Sequence, residues 1–320
     1  GFVRTSAQLF WCRVVLGIGE AGGIPATGKA YGTYLLPEER ALGAGVGQLG
    51  ISIGALAAPL LAAWALGQGH WQWAFVAAGG CGLVWIGLWW LVNRQCPAPP
   101  EWTNGKVIRD NSRLLSDIRF WRLVVANFFA MSGYTLWTYW TTLYLTGQFH
   151  LEIVTANRQY AWIPPLGGTF GALAGGWLSL RLIRKGSDEV RARLQVCLWM
   201  AVLSLVAAAV PFTRTPMLAT AAISLSYCFI AAGSTNLYTI PVDLYGAPRA
   251  ASAISGLVVS YGATTGVFNP LFGFLIGRTG SYVPVCVMAA VTPLLAYWII
   301  APIRSGQSSL ETAGMISRSS

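Results

Sequence analysis

Nine apolar windows of about 20 residues, each long enough to cross roughly 30 Å of hydrocarbon, leave this chain few folds to adopt. They run over approximately 8–35, 42–67, 71–92, 121–146, 158–183, 194–212, 216–240, 252–276 and 281–303. Lipid offers a backbone no hydrogen bonds, so windows of this length and composition are helices, and the predicted fold is an all-α, polytopic membrane bundle. Pro25, Pro59, Pro164, Pro165, Pro241, Pro270 and Pro293 fall inside or beside these windows. They would break soluble helices, but a bundle tolerates them where neighbouring helices satisfy the freed backbone groups.

Composition excludes most other classes. Only 10% of the 320 residues are charged, against about 25% in an average soluble domain. Too few charges remain to coat a cytosolic enzyme, a coiled coil or a disordered chain. The six cysteines are scattered without a C-x-x-C pair, and there are two histidines, which argues against a disulfide framework, a zinc site or a haem site. No Ser/His/Asp or Cys/His arrangement suggests a hydrolase. A membrane enzyme acting on lipid-linked substrates would need acids or histidines gathered at one interface, and the 11 acidic residues lie nearly all in loops.

The net charge of +10 has a topological reading. Placing the long segment 93–120 in the cytoplasm puts 36–41, 184–193, 241–251 and the tail from Arg304 on the same side. That side then carries fifteen Lys and Arg, the other side four, and Arg13 and Lys29 within the first window complete the 21. This is the asymmetry of the positive-inside rule. Anionic lipid, not nucleic acid, is the expected partner of the basic face.

Glycine spacing points to packed helices. Gly43/Gly47, Gly50/Gly54, Gly171/Gly175, Gly262/Gly266 and Gly273/Gly277 are all G-x-x-x-G pairs, which allow close helix approach. Gly17-Ile-Gly19-Glu-Ala-Gly22 and Gly45-Val-Gly47-Gln-Leu-Gly50 fit a dinucleotide fingerprint as strings. That fingerprint needs a strand before the glycines, and these sit within long apolar helices.

Arg13 and Glu20 are the notable ionisable pair, well inside the first window. Each costs about 2.5–3.5 kcal/mol if left at the bilayer centre, so both are expected to face protein or a water-filled cavity. Seven residues is about 700° of helical rotation, which returns them to one face about 10.5 Å apart. They read either as a structural ion pair or as an anion-binding Arg beside a proton-titrating Glu. In the second case burial raises the Glu pKa and a nearby Arg lowers it, so protonation responds to an anion on the Arg. Lys29, near the cytoplasmic end, reads most simply as a snorkelling side chain. Other polar groups inside windows are Gln48, Tyr134, Trp137, Asn236 and Asn269, which either pack between helices or line a substrate path.

A longer pattern runs through these residues. Arg13-x3-Gly17-x-Gly19-Glu20-Ala21, Pro25-Ala26-x2-Lys29, Leu36-Pro37-Glu38-Glu39-Arg40-Ala41 and Gly50-x3-Gly54 resemble the fourth and fifth helices of the anion:cation symporter family, a branch of the major facilitator superfamily. Trp71-Gln72-Trp73-Ala74-Phe75 and Tyr160-Ala161-Trp162-Ile163-Pro164 continue the match. Gly175-Gly176-Trp177-Leu178-Ser179-x-Arg181-Leu182-Ile183-Arg184-x-Gly186 resembles its loop motif between helices eight and nine. The resemblance covers 2–303 and is nearest to the hexuronate and sugar-acid permeases.

The resemblance implies a twelve-helix fold of which nine helices are present: 1–92 as the remainder of an N-terminal bundle, 93–119 as a central cytoplasmic loop, 120–304 as a six-helix bundle and 305–320 as a cytoplasmic tail. Three helices, about 100 residues, are expected upstream, making this chain a fragment. Proton coupling is implied for Glu20, with Arg13 tuning it. Substrate contact is implied for Gln48, Tyr134, Trp137 and Asn236, and a conformational role for Gly176, Arg181, Arg184 and Gly186. Leu180 stands where the loop motif usually has an acid, which leaves the charge relay that locks one conformation without its usual member. The implied activity is proton-coupled symport of a small organic anion, such as a hexuronate, aldonate or aldarate. An aromatic-acid carrier and a transport-incompetent sensor are the alternatives. No cofactor beyond the proton gradient is expected, and the protein is expected to be a monomer in the plasma (inner) membrane.

Overall fold

A computed structural model describes residues 3–70, 72–95 and 114–303. The rest of the central loop and the tail lie outside the described residues. All regular structure among the described residues is helical. We label the helices α1 (Ser6–Glu20), α2 (Gly23–Tyr34), α3 (Arg40–Gly67), α4 (Gln72–Asn93), α5 (Ile118–Phe149), α6 (Ile163–Arg184) and α7 (Glu189–Leu203). Then come α8 (Pro216–Gly246), α9 (Arg249–Thr279) and α10 (Val283–Ile300).

Local chemistry fixes where these helices begin. Thr5 and Gln8 form a reciprocal capping box at α1. Asp117, Asp188 and Thr215 accept from backbone amides in the first turns of α5, α7 and α8. Prolines sit in the first turns of α6, α8 and α10, where a missing N–H costs nothing. Gly280, at φ 64°, ends α9 in the left-handed region.

Six stretches are long and apolar enough to cross a membrane: Ser6–Tyr34, Gln72–Asn93, Glu189–Phe212, Pro216–Gly246, Arg249–Thr279 and Val283–Ile300. α3, α5 and α6 match the remaining windows; α5 and α6 carry more hydroxyls and glycines in exchange for apolar groups. Large apolar side chains such as Trp298, 81% exposed, face outward, as a lipid-facing surface requires.

Three windows differ in detail from the sequence reading. The first breaks after Glu20 into α1 and α2, at Ala21 and Gly22. The window at 158–183 starts with a π-helical turn, Asn157–Ala161, before α6 begins. The loop expected at 241–251 is shorter than that: α8 runs on to Gly246, whose φ 66° and ψ 171°, a conformation open almost only to glycine, break it from α9 at Arg249. Pro241 does not stop α8, because Val242 and the flanking turn are buried against neighbouring helices.

α5 to α10 form one bundle. α5 lies against α8, α9 and α10, while α8 also meets α6 and α7. Its seams are built on small residues and polar crossbars. Methyl groups at Gly167, Gly171 and Gly175 of α6 would overlap the backbone of Ser224, Cys228 and Ala232 of α8, a parallel contact in steps of four residues. Ser260 and Thr264 of α9 donate to the carbonyls of Val124 and Phe128 on α5, at 2.6 and 3.0 Å. Two apolar cores fill the bundle. One surrounds Tyr144, Ile223 and Phe272, and the other surrounds Leu123, Ile240, Leu257 and Ile300.

The helices before residue 95 meet this bundle at one end only. α2 packs on α8 and α9, and α3 packs on α6. Gly28 lies under Ile254, Gly45 under the backbone of Ala172 and Leu173, and Gly176 under Ala41 and Leu42. Further along α3, Gly50 and Gly54 have nothing within 4 Å. The two halves therefore touch at the end carrying 36–41 and 184–193 and part toward the other, leaving a cleft.

Candidate functional site: a charged closure at one end and a hydroxyl-lined wall

Where the halves touch, arginines from two other helices converge on one carboxylate. Asp243, near the end of α8, receives the Nε of Arg193 from α7 and the Nη1 of Arg40 from α3, the latter at 2.9 Å. Arg193 is fully buried and uses its other nitrogens as well. Nη2 donates to the Pro37 carbonyl at 2.7 Å, and Nη1 donates to Ser179 Oγ at 3.3 Å. Burying these charges is costly, and the planar guanidinium repays it by satisfying several acceptors at once. Arg40 and Pro37 belong to one half, and Asp243, Arg193 and Ser179 to the other. The cluster is thus a clasp between halves. A second, more exposed pair, Arg184 and Glu38 at 3.5 Å, lies beside it.

This clasp changes the expectation drawn from Leu180. That residue is buried and apolar, and the acid at this end comes from another helix: Asp243, paired with Arg40 and Arg193. Three of the four loop-motif residues act at the same end. Gly176 admits the α3 backbone, Arg184 pairs with Glu38, and Gly186, at φ 95°, turns the chain toward α7. Arg181 stays on its own helix, 5.4 Å over the Trp177 ring.

The other predicted site residues fall in two groups. Tyr134 is half-buried on α5, with the Tyr227 ring of α8 at 4.9 Å and the Tyr261 ring of α9 at 5.9 Å. Thr138, one turn on and exposed, shares a 3.1 Å hydrogen bond with the Tyr227 hydroxyl. These four residues make a wall of hydroxyls and aromatic faces. Trp137 and Asn236 lie behind it, both buried. The Trp137 indole donates to Ser226 Oγ at 2.9 Å. The Asn236 amide donates to the Gly175 and Ala232 carbonyls, at 3.0 and 2.9 Å. Asn236 therefore braces α8 on α6, and its Oδ1 is buried without a partner. Gln48 lies within α3, and its side chain falls outside the described residues.

Arg13 and Glu20 stand apart from that wall. Both are exposed on α1, a helix that buries none of its residues, and no ion pair joins them among the described residues. Their placement still matters for charge. Among the described residues, α5, α6, α8, α9 and α10 carry Lys, Arg, Asp, Glu or His only within their first or last five residues. Asp243 and Arg193 were missed because only the fold brings them together. A signal existed in the sequence, since Asp243 is the sole acid between Glu189 and Glu311.

The family model described as Major Facilitator Superfamily matches residues 1–256. The hexuronate transporter of Escherichia coli is 25% identical over 322 residues, covering 94% of this chain and 73% of its own length. The probable sulfoacetate transporter of Cupriavidus necator is 26% identical, covering 99% and 77%. The D-galactonate transporter of Escherichia coli is 24% identical, covering 92% and 74%. Among solved structures, the Escherichia coli fucose:proton symporter superposes with a TM-score of 0.63 at 15% identity, over 89% of this chain and 73% of that one. A structure of the same transporter in its outward conformation gives 0.59 over 89% and 71%. Paired helical halves held by a clasp at one end, a family match over four-fifths of the chain and a shared fold agree: the chain belongs to the Major Facilitator Superfamily and is a multi-pass membrane transporter, not an enzyme.

Proposed function

We propose that the protein takes up a small organic anion, a sugar acid such as a hexuronate or an aldonate, together with a proton. It works by alternating access in the plasma membrane, with the basic, clasped end in the cytoplasm. The observation that carries this reading is the uncharged hydroxyl wall of Tyr134, Thr138, Tyr227 and Tyr261. Arg13 and Glu20, exposed on α1 in the other half, are its charged counterpart in this proposal. A polyhydroxylated carboxylate has that polarity, with one anionic end for the cationic half and hydroxyls for the uncharged half. The relatives named above carry hexuronate, galactonate and sulfoacetate, all organic anions.

In this reading the described state faces outward. The anion enters the open cleft, Glu20 takes a proton, and the neutralised pair permits the halves to rock and the clasp at Asp243 to open. A proton on Glu20 removes a charge whose passage through a closing, low-dielectric site is costly. The test is uptake of labelled galacturonate, and in parallel of labelled phthalate, into proteoliposomes under an imposed proton gradient. Gradient-driven uptake should fall to background in Glu20→Gln while galacturonate counterflow persists. Undiminished gradient-driven uptake in that variant refutes the coupling role. Gradient-driven uptake of labelled phthalate with none of galacturonate redirects the substrate to aromatic acids, for which the three tyrosine rings would serve as a stacking surface.

A further inference from the structure

α5 begins at the clasped end, where Asp117 receives the hydroxyl of Tyr245, two residues past Asp243, so its last turns lie at the open end. Along one side of it Tyr134, Thr138, Thr142 and Thr146 follow one another at four-residue steps, and none of them is buried. At about 1.5 Å of rise per residue, this stripe of hydroxyls runs about 18 Å from the wall toward the open end. There it meets the π-helical turn Asn157–Ala161, because Thr142 Oγ1 donates to Asn157 Oδ1 at 2.8 Å. That bond settles how the Asn157 amide is turned. Its oxygen is occupied on the α5 side, which leaves the two N–H groups of Nδ2 as donors. The next residue, Arg158, is exposed and enters no ion pair among the described residues. Glu152 is the sole acid between Asp117 and Asp188. A π-turn is rare, and such turns recur at functional sites. This one sets an amide and an uncommitted guanidinium at the head of the stripe.

We propose that Asn157 and Arg158 form a capture subsite for the carboxylate of an incoming organic anion, from which the stripe leads to the wall. The inference rests on the anion transport read above and adds where the anion is first selected. A guanidinium presents a planar fork that matches a carboxylate, and the amide adds neutral donors beside it. Both groups are exposed to water, so the contact is weak enough to be given up as the substrate moves inward. Further in, the hydroxyl of Thr146 donates to the Leu143 carbonyl, that of Thr142 to Asn157, and that of Thr138 is shared with Tyr227. Each keeps lone pairs for the hydroxyls of a polyhydroxylated substrate. A neutral sugar would find the same hydroxyls and gain nothing from Arg158, so the subsite selects for charge.

The test uses the full chain in proteoliposomes and has two readouts. In counterflow of labelled galacturonate, Arg158→Gln should raise KM about tenfold and leave the maximal rate unchanged, the loss expected of one charge-assisted contact made before translocation. Arg158→Lys should recover most of that loss. Arg278→Gln, at the same end of the bundle but 6.0 Å over the Phe274 ring of its own helix, should behave as the parent. The second readout needs no transported substrate. In Thr146→Cys, peptide mass spectrometry gives the rates at which an anionic and a cationic thiosulfonate modify position 146. Adding Arg158→Gln should lower the anionic-to-cationic ratio several-fold, and adding Arg278→Gln should not. A parent that moves no galacturonate would refute that cargo, and the modification ratio would still decide the subsite. An unchanged ratio or an unchanged KM in Arg158→Gln, or equal effects of the two substitutions, would overturn it.

Discussion

Gly171 shows how much one missing side chain decides here. A methyl group there overlaps the Cys228 carbonyl and Cα, all backbone, so the clash cannot be relieved by a rotamer change and α6 must move off α8. Overpacking of this kind costs about 1–3 kcal/mol. Gly171→Ala should lower the thermal midpoint in detergent by several degrees. Gly50→Ala, where nothing lies within 4 Å, should be neutral or slightly stabilising, since Ala is the better helix former by about 1 kcal/mol. Equal shifts for the two variants would mean that the seam does not hold the bundle. The contrast also marks the limit of sequence reading at this scale. Five G-x-x-x-G pairs look alike on paper, yet Gly171/Gly175 accepts a helix backbone along its whole length, Gly43/Gly47 accepts the side chains of Leu35 and Tyr31, and Gly50/Gly54 and Gly262/Gly266 meet nothing. What differs among them is the neighbour, and spacing says nothing about neighbours. Asn236 teaches the same lesson, since an amide in a span is equally suited to a ligand or to a helix carbonyl.

The helices themselves were largely legible, because 20 apolar residues in lipid have one economical solution. Their ends were less so. Hydropathy placed the start of the fourth span at residue 121, whereas the helix begins at Ile118 because Asp117 caps it. The Asp117 carboxylate accepts from the Arg119 backbone at 2.8 Å, pairs with its side chain and receives the Tyr245 hydroxyl at 3.2 Å. Partial burial pushes this carboxyl up, but the hydrogen bonds from Arg119 and Tyr245 and the nearby guanidinium outweigh it and hold the pKa below the ordinary value. A carboxylate lowered in this way stabilises the fold above its unfolded value of about 3.9 and ceases to as pH falls through the lower folded value. Asp117→Ala should therefore destabilise the bundle by about 1 kcal/mol at neutral pH. The gap between variant and parent should close as the melting series is carried to about pH 3 and below. A gap that is constant with pH would assign the effect to something other than the ionised cap. The extension of α8 from residue 240 to Gly246 was not legible, because Pro241 reads as the start of a loop until the packing around Val242 is known.

At the scale of the molecule, the weight of the closed state rests on unequal contacts, and their burial ranks them. Glu38 and Arg184 stand 3.5 Å apart with side chains 30% and 59% exposed, a pair worth at most about 1 kcal/mol in solvent. Asp243 is 4% exposed and serves two arginines, one from each half. Removing its charge leaves two guanidiniums packed together without a counterion, and breaking a buried pair typically costs about 3–5 kcal/mol. That loss falls only on the state in which the halves meet, so it converts to a shift in the balance of states of about 10²–10⁴-fold. Nitroxide labels at Leu36 and Lys185, exposed positions on opposite halves beside the clasp, would read it as a distance distribution. The parent should give a single short distance. Asp243→Asn should gain a longer-distance population, and Glu38→Gln should stay close to the parent. If the two variants behave alike, the buried cluster is a packing feature and the closed end is held instead by the apposition of Gly45 and Gly176 with the facing helix backbones. Because that apposition is apolar and nonpolar contacts are indifferent to proton occupancy, such an outcome would also separate closure of this end from the charge on Glu20.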